Sequence, residues 1–391
     1  MKEVVRASDP RIAALLARQA TQYAGNDQLG LTRITALLEA LGRPQDRMPP
    51  VFHVAGTNGK GSTCAFLRAA LEAGGYKVHA FTSPHLVRYN ERIRLAGTLI
   101  DDDRLAETMG RVLDANETIR ASLFEINTAV AFIAFSEVEA DACIVEVGLG
   151  GRLDATNVIE RPLVCGIASL GIDHEAFLLA EEVGTPADPA SRIGYEKAGI
   201  AKPGVPLVIQ HYPAPVEATI ADVAARVGAP LLVEGRDWHI DLDLHPSLPG
   251  RHQQRNASLA AAMLRAQSVL TVSDEAIREG VAGATWPARM QHLDPSGPLA
   301  AGRDLWLDGA HNAPAAETLA GSIPDPMHLV LGILANKDAG AIVAALAPQA
   351  LSLTFVPVPD HESHDPQALA ARFGGGAAAC LADALDGLPG P

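Results

Sequence analysis

The sequence predicts an α/β protein with a doubly wound, mostly parallel sheet and a second, smaller α/β domain. Short apolar segments typical of buried strands alternate along the chain with longer segments of helical spacing. Such alternation is typical of parallel sheets covered by helices on both faces. The first of these strands, residues 51–54, leads into a turn with three glycines in six residues and then into a helical pattern. This order predicts a nucleotide-binding sheet of the P-loop type.

Composition limits the class of protein. The chain has 391 residues, enough for two domains of roughly 150 residues each. Hydrophobic residues make up 48% of it and aromatic residues only 4%, so the core must consist mainly of Ala, Leu, Val and Ile. The formal net charge of −15 argues against a nucleic-acid partner and against an acidic membrane surface. An anionic ligand must therefore be held by local groups.

The cysteines and the N-terminus indicate the compartment. Cys64, Cys143, Cys165 and Cys380 show no metal-ligand spacing, which favours free thiols, most of them buried, in a reducing environment. The sequence has neither a signal-peptide pattern nor an apolar run of about 18 residues. We therefore expect a cytoplasmic protein that does not span a membrane.

The first part of the chain carries the larger predicted domain. Helical spacing predicts helices over residues 10–25, 31–42, 101–121 and 127–135, and another between the last two strands. After the strand at 51–54, further strands are predicted at residues 76–82, 141–147, 163–170, 206–210 and 230–234. Several polar side chains come directly after these strands. Since parallel sheets bind ligands beyond the carboxyl ends of their strands, we expect one shared cleft there.

A second alternation begins where the helical pattern of residues 256–283 stops, around Trp286 to Met290. Strands are predicted at 305–308, 328–333 and 352–356, with helices at 314–321, 339–347 and 366–373. The predicted boundary lies near residue 290. It gives a larger domain of residues 1–290 and a smaller C-terminal domain of residues 291–391.

The glycine-rich turn is the strongest functional signal. A strand–turn–helix of this kind directs backbone N–H groups and the positive end of the helix dipole towards one volume that suits phosphate. The match to G-x-x-x-x-G-K-[ST] is inexact, because Val54 replaces the first Gly and Gly61 separates Lys60 from Ser62. A turn that binds nothing is the alternative. Lys60 argues against that alternative, since a Lys among glycines stabilises no fold.

Three residues at strand ends suggest a metal site. Glu146 lies inside an apolar strand, where a carboxylate is costly unless it is paired. Together with Ser83 and His174 it offers ligands to Mg²⁺, which combines a few protein oxygens with phosphate and water. Each residue alone has a structural alternative: a Glu satisfied by local amides or by Arg152, a turn-capping Ser and a loop His.

Other candidates remain open on the residues alone. Lys197 stands beside Glu196 near a helix end, a pattern typical of a solvent-exposed lysine. Arg289 lies at the domain junction. Asp308 follows a strand and leads through Gly309 into a helix, where it suits either a ribose contact or a structural turn.

Five segments, taken in order, resemble motifs of the folylpolyglutamate synthase/dihydrofolate synthase family of the Mur ligase superfamily. They are residues 56–62 (GTNGKGS), 82–86 (TSPHL), 146–157 (EVGLGGRLDATN), 196–200 (EKAGI) and 308–312 (DGAHN). The resemblance extends over about residues 25–375. It implies a Mur-ligase-like central domain and a smaller Rossmann-like C-terminal domain, and both departures from the general P-loop are expected in this family.

The resemblance also implies roles for individual residues. Lys60, Lys197 and His174 would be catalytic, and Ser83, Glu146 and His174 would bind Mg²⁺. The ATP site would consist of Gly56, Thr57, Asn58, Gly59, Lys60, Gly61 and Ser62, with Asn256, Arg289 and Asp308 across the domain interface. The pocket for the pterin substrate would be lined by Ser122, Leu123, Phe124, Glu125, Leu153, Asp154 and Ala155.

The reaction implied is amide formation driven by ATP. A substrate carboxylate attacks the γ-phosphorus of ATP to give an acyl phosphate and ADP, and the amine of L-glutamate then displaces phosphate. The substrates would be dihydropteroate and reduced folates, because residues 153–155 resemble the form found in bifunctional members. The resemblance further implies a carbamate on Lys197, a monovalent cation and a monomer.

The sequence departs from the family pattern at two places, and two other functions remain as alternatives. The segment between His174 and Lys197 is longer than the family's usual spacing, which leaves its path open. The C-terminal domain is shorter at its end than family members usually are. Another ADP-forming Mur-type amino-acid ligase is one alternative, and a nucleotide-binding relative without catalysis is the other.

Overall fold

A computed structural model of the protein describes residues 9–22, 29–180, 182–297, 299–300, 302–359 and 361–388. The contacts divide them into two compact units. The larger unit contains the described residues up to Ser247 together with Gln253–Trp286, and the smaller contains Leu248–His252 and the described residues from Pro287 onward. The division falls between Trp286 and Pro287, and the short segment Leu248–His252 was not anticipated. The limits 1–290 and 291–391 stay a prediction.

The larger unit is built on an eight-stranded sheet. Its strands are β1 (Val51–Ala55), β2 (Val78–Phe81), β3 (Ile93–Leu95), β4 (Thr98–Leu99), β5 (Ala142–Glu146), β6 (Val164–Ile167), β7 (Leu207–Ile209) and β8 (Leu231–Val233). They follow the order β4-β3-β2-β5-β1-β6-β7-β8, and all pairs from β2 to β8 in that order are parallel. The predicted doubly wound, mostly parallel sheet is confirmed. The antiparallel edge strands β3 and β4 were missed, because they are too short to show a period.

The central strand β1 sets the geometry of the site. All five of its residues are buried, with β5 on one side and β6 on the other. Val54 is in register with Glu146 of β5, and Ala55 with Ile167 of β6. The loops after these three strands therefore begin at the same level of the sheet, at the edge where α/β proteins bind ligands.

Helices cover both faces of this sheet. Up to Gly283 the described helices are α1 (Pro10–Gln22), α2 (Thr32–Ala40), α3 (Lys60–Ala73), α4 (Asp102–Ala115), α5 (Leu123–Glu137), α6 (Glu175–Leu178), α7 (Pro189–Ala198), α8 (Ala214–Val227), α9 (Arg251–Arg265) and α10 (Asp274–Gly283). Residues 23–25 of the first predicted helix lie outside the described residues. The helical pattern of 256–283 is two helices, since residues 266–273 interrupt it.

Local capping explains where several helices begin. Asp101 accepts a hydrogen bond from the backbone N–H of Arg104 at the start of α4. Asp188 accepts one from Ser191 at the start of α7, where Pro189 occupies the first helical position. Such side chains satisfy N–H groups that the first turn of a helix leaves without partners, and Pro at this position has no N–H to satisfy.

The smaller unit contains two sheets. Strands β9 (Gln291–His292) and β10 (Trp306–Leu307) are antiparallel, whereas β11 (Met327–Leu331), β12 (Ala350–Phe355) and β13 (Gly376–Ala377) are parallel in that order. Its helices are α11 (Ala313–Ala320), α12 (Ala339–Leu346), α13 (Pro366–Phe373) and α14 (Leu381–Asp386). The predicted strand at 305–308 corresponds to β10, which pairs with β9 in a separate sheet and not with the three parallel strands.

The prediction of mostly buried free thiols is met within the described residues. Cys64, Cys143 and Cys165 are buried free thiols, while Cys380 is exposed. No described helix combines the length and the apolar character that crossing a membrane would need.

Candidate active site

The phosphate loop, residues 56–62, connects β1 to α3. Gly56 has φ of +151° and Gly59 has φ of +81°, conformations that side chains rarely adopt. Helix α3 begins at Lys60, whose Nζ donates hydrogen bonds to the carbonyl oxygens of Gly56 (3.0 Å) and Thr57 (3.2 Å). The ammonium group therefore lies across the turn, next to the backbone that would surround a phosphate.

The first half of the loop is tied to the segment after β6. The backbone N–H groups of Thr57 and Asn58 both donate to the carbonyl oxygen of Ser169, at 2.8 and 3.2 Å. The Thr57 hydroxyl donates to the carbonyl of Gly171 (2.8 Å) and accepts from its N–H (3.1 Å). These N–H groups are engaged by the protein, so the donors best placed for an anion are those of the first turn of α3.

Two glycines of the loop are in close contact with larger side chains. A Cβ added to Gly59 would stand 2.6 Å from Oδ1 of Asn256, and one added to Gly61 would stand 3.0 Å from three atoms of the Trp286 indole. Asn256, a predicted ATP ligand, thus lies against the phosphate loop. Trp286 was not predicted. The one signal in the sequence was a tryptophan beside a proline in a chain with few aromatic residues.

The structure brings two of the predicted metal ligands together. The backbone N–H of Ser83, after β2, donates to Oε2 of Glu146 at the end of β5 (3.1 Å), and Glu146 is 4% exposed. His174 follows β6, on the other side of β1. It has φ of +55°, and its side chain is 43% exposed.

The donor chemistry of these residues fits Mg²⁺. A buried carboxylate and a serine bonded to it through its backbone N–H offer the hard oxygen ligands that Mg²⁺ combines with phosphate and water. No group of three or more His, Cys, Asp or Glu side chains suited to a metal occurs among the described residues. The predicted set contains only two such side chains, because its third member is Ser83. The role of Ser83, Glu146 and His174 in metal binding stays a prediction.

Lys197 is buried, with 3% of its surface exposed, in the last turn of α7. The prediction that Lys197 is exposed to solvent is therefore wrong. The pKa of Lys197 is lowered to about 7, chiefly by burial and in addition by the positive charge of Lys60. The carboxylates of Asp154, Asp173 and Glu196 act in the opposite direction. A lysine with such a pKa is present partly as the neutral amine at neutral pH.

The two segments predicted to line the pterin pocket are neighbours. Ser122 and Glu125 form a capping box at the start of α5, and Oε2 of Glu125 also accepts from Nε of Arg33 (3.0 Å). Between them, the ring of Phe124 lies against the loop that follows β5. A Cβ added to Gly148 would stand within 2.3 Å of Cζ of that ring. We call residues 147–154 the β5 loop.

Asp154, at the end of the β5 loop, is engaged in local structure. Its Oδ1 accepts from the backbone N–H (3.0 Å) and the hydroxyl of Thr156, and its Oδ2 accepts from the N–H of Leu149 (2.9 Å). It caps the short 3₁₀ helix Ala155–Val158. The side chain is 2% exposed, and burial raises its pKa. Asp154 is therefore a capping residue in the structure, and its contact with a pterin stays a prediction.

A buried histidine continues this chain of hydrogen bonds and was not anticipated. Nε2 of His53, in β1, lies 2.8 Å from the Thr156 hydroxyl. Because that hydroxyl donates its hydrogen to Asp154, Nε2 of His53 must be the donor. His53 is fully buried, its Nδ1 has no hydrogen-bond partner among the residues that the structure describes, and burial lowers its pKa to about 3.

The smaller unit holds the remaining predicted nucleotide ligands. Asp308 accepts from the backbone N–H groups of Met290 and Ala310, both at 2.8 Å, so it organises the turn after β10. Arg289 lies between two residues with positive φ, Ala288 (+52°) and Met290 (+43°), and donates to the carbonyl of Ala288 (2.8 Å). Such backbone conformations are costly and concentrate at functional sites. The contacts of Asn256, Arg289 and Asp308 with one nucleotide stay a prediction.

Comparison with known proteins identifies relatives of the chain. No protein-family model matches it. A dihydrofolate synthase/folylpolyglutamate synthase of Bacillus subtilis is 37% identical over 322 residues, which cover 74% of this chain and 71% of that protein. The protein of the same name from Escherichia coli is 36% identical over 363 residues, 88% of this chain and 81% of that protein.

Solved structures are similar to this chain as well, and one of them carries the same two enzyme names as these relatives. E. coli FolC in complex with DHPP and ADP superposes with a TM-score of 0.85 and 33% identity, over 97% of this chain and 92% of that one. A bifunctional folylpolyglutamate synthase/dihydrofolate synthase from Yersinia pestis, complexed with AMPPNP and Mn, gives a TM-score of 0.83 and 30% identity, over 99% and 94% of the two chains.

Proposed function

The chain belongs to the dihydrofolate synthase/folylpolyglutamate synthase family, and on that premise we propose that it uses ATP to join L-glutamate to dihydropteroate and to reduced folates. One observation carries the proposal. The phosphate loop, the Ser83–Glu146 pair and the β5 loop follow adjacent strands of one sheet, in a chain that is similar over 97% of its length to FolC bound to DHPP and ADP. A related structure contains Mn, AMPPNP and L-glutamate.

The first chemical step brings two anions together. The substrate carboxylate attacks the γ-phosphorus of ATP, and ADP leaves as the acyl phosphate forms. Negative charge therefore collects at the phosphate loop, where Lys60 and the N–H groups of the first turn of α3 stabilise it. In the second step the glutamate amine attacks the acyl carbon, a C–N bond forms, and phosphate leaves. Excluding water protects the acyl phosphate from hydrolysis.

The metal would be held by Ser83, Glu146 and His174. The proposal is supported by the hydrogen bond between Ser83 and Glu146 and by the burial of the Glu146 carboxylate. Mg²⁺ would supply positive charge that neutralises the phosphate oxygens of ATP. This chain's own part is to keep the Glu146 carboxylate in place, and the N–H of Ser83 does so directly.

Lys197 is proposed to carry a carbamate. Its neutral amine would attack CO₂, form an N–C bond and lose a proton, which converts a cationic position into an anionic one. Two features support this: the pKa of about 7 and the nearby positive charge of Lys60. Lys60 disfavours an ammonium at Lys197 but favours an anion there, so the electrostatics of the site change from repulsion to attraction.

Other parts of the assignment stay predictions. They are a monovalent cation at the site, a monomeric state and a cytoplasmic location. The roles of Ser122 to Glu125 and of Leu153 to Ala155 in pterin binding are proposed on the contact between Phe124 and the β5 loop.

The test is ADP release by the purified protein, with dihydropteroate and with a reduced folate measured side by side, each with and without L-glutamate. We expect release with both substrates, dependent on L-glutamate. Release with only one substrate would reject the dual activity. Release only with a nucleotide-sugar acceptor would identify another Mur-type ligase, and ATP binding without turnover would identify a non-catalytic relative.

A matched pair of variants ties the activity to the phosphate loop. Lys60→Ala removes the charge at the loop and should lower turnover by about 10²–10³-fold. Lys77→Ala removes an exposed lysine of the same unit and should leave turnover unchanged. Equal turnover of the two folded variants would contradict the role of Lys60.

A further inference from the structure

Four charged side chains join three segments of the larger unit next to Lys197. Glu182 lies in the segment between α6 and α7, Arg152 lies directly before Leu153 of the β5 loop, and Arg192 and Glu196 belong to α7. Arg152 donates to Glu182 from Nη1 (3.0 Å) and to Glu196 from Nε (3.2 Å). Nη2 of Arg192 lies 3.1 Å from both Glu182 and Glu196. We call these four residues the charge cluster.

The charge cluster is neutral and unequally buried. The side chains of Arg192 and Glu196 are 6% and 3% exposed, whereas that of Glu182 is 44% exposed. The arginines hold the pKa of Glu182 below its ordinary value, so Glu182 is ionised at neutral pH. Loss of its charge would leave two arginines against one carboxylate. An uncompensated charge in such a buried position is unfavourable.

The charge cluster is part of a tight contact between the β5 loop and the end of α7. The N–H of Arg152 donates to the carbonyl of Glu196 (2.7 Å). A Cβ added to Gly151 would stand 2.9 and 3.0 Å from the carbonyl oxygens of Glu196 and Lys197. The position of the β5 loop and the position of Lys197 are therefore fixed by one another. Glu182, from a third segment, connects to both sides of this contact.

Glu182 belongs to the segment whose length departs from the usual spacing of the family. We propose that Glu182 is a positioning residue: it holds Arg152 and Arg192 so that the β5 loop and the Lys197 end of α7 keep one arrangement, and it thereby sets the affinity for the pterin substrate. This inference rests on the proposed function. Glu182 acts through the two arginines and need not touch the substrate.

The effect should be confined to one substrate. Arg152 is followed directly by Leu153, Asp154 and Ala155, the residues proposed to line the pterin pocket. The phosphate loop is instead tied to Ser169 and Gly171 by four hydrogen bonds that do not involve the charge cluster. Loosening of the β5 loop should therefore weaken pterin binding and leave ATP binding unchanged.

The experiment compares Glu182→Gln with Glu279→Gln, which removes an exposed carboxylate from α10. The measurements are the KM values for dihydropteroate, ATP and L-glutamate, with kcat and the melting temperature. For Glu182→Gln we expect the KM for dihydropteroate to rise about three- to tenfold, with the KM for ATP unchanged. Glu279→Gln should leave all of these values unchanged.

A second variant tests the charge balance. Glu182→Gln combined with Arg192→Gln leaves Arg152 paired with Glu196 and restores neutrality, so the KM for dihydropteroate should return part of the way to its original value. A fall in melting temperature with every KM unchanged would overturn the inference, since Glu182 would then be a structural ion pair. A parallel rise in the KM for ATP would also overturn it. Absence of turnover in the unaltered protein would instead reject the proposed function.

Discussion

The indole ring of Trp286 lies against the Cα atom of Gly61, in the first turn of the helix that follows the phosphate loop. A Cβ at Gly61 would stand 3.0 Å from Nε1, Cε2 and Cζ2 of the ring. Trp286 is also the last residue of the larger unit, because the chain enters the smaller unit at Pro287. The residue that ends one unit thus packs on the helix N-terminus where phosphate is proposed to bind.

Gly61→Ala should disturb this contact. The new methyl group forces the indole or the first turn of α3 to move, and overpacking of this kind costs about 1–3 kcal/mol. We expect a lower free energy of unfolding and a higher KM for ATP, measured by urea denaturation and steady-state kinetics. Gly110→Ala is the matched control, since Gly110 lies within α4 and no atom of the described part of the chain lies within 4 Å of an added Cβ. It should stabilise the protein by about 0.5–1 kcal/mol. Similar behaviour of the two variants would contradict the role of the contact.

Gly148→Ala should instead weaken binding of the pterin substrate. Its Cβ would overlap the ring of Phe124, the closest approach being 2.3 Å, so the ring or the β5 loop must be displaced. We expect the KM for dihydropteroate to rise by more than tenfold while the KM for ATP stays within about twofold. Combining it with Phe124→Ala removes the overlap and should recover stability. If the double variant is as unstable as Gly148→Ala alone, the overlap with Phe124 is not the cause.

Asp154→Ala tests whether the capping residue also serves the substrate. The change leaves the N–H groups of Leu149 and Thr156 without their acceptor, which costs about 1–3 kcal/mol. We expect reduced stability together with a rise in the KM for dihydropteroate of about 5–150-fold. Asp101→Ala removes another helix-capping aspartate, at α4, and should lower stability alone. If Asp154→Ala behaves like Asp101→Ala, with every KM unchanged, Asp154 is a cap and not a substrate contact.

His53 should make the folded protein sensitive to acid. Its pKa is about 3 when folded, against 6.5 for the ordinary group, so the unfolded chain binds more protons between these values. Stability therefore falls as pH is lowered from 6.5 towards 3, by about 1.4 kcal/mol per pH unit from this group. His53→Gln should show a shallower loss of unfolding free energy between pH 6.5 and 4. His239→Gln, at an exposed position, should leave the slope unchanged. Identical slopes for the unaltered protein and His53→Gln would refute the effect.

The sequence by itself determined the class of the sheet, most of its elements and the order of its functional motifs. Strand and helix periods are local properties, so the strand–glycine turn–helix around Lys60 could be recognised from consecutive residues. Ligand binding beyond the ends of parallel strands follows from the fold class. For that reason Ser83 and Glu146 could be placed at one edge before any contact was known, and they are hydrogen-bonded there.

Only the tertiary structure decided what each side chain contacts. Lys197 looked solvent-exposed, yet it is buried, because the β5 loop packs on the end of α7. Strand β10 pairs with β9 rather than with the parallel strands, a choice that two residues cannot encode. Along the chain, Trp286 lies more than two hundred residues from Gly61, His53 lies 103 residues from Thr156, and Glu182 lies 30 residues from Arg152. Burial and pKa depend on these distant contacts, whereas a sequence pattern records only near neighbours.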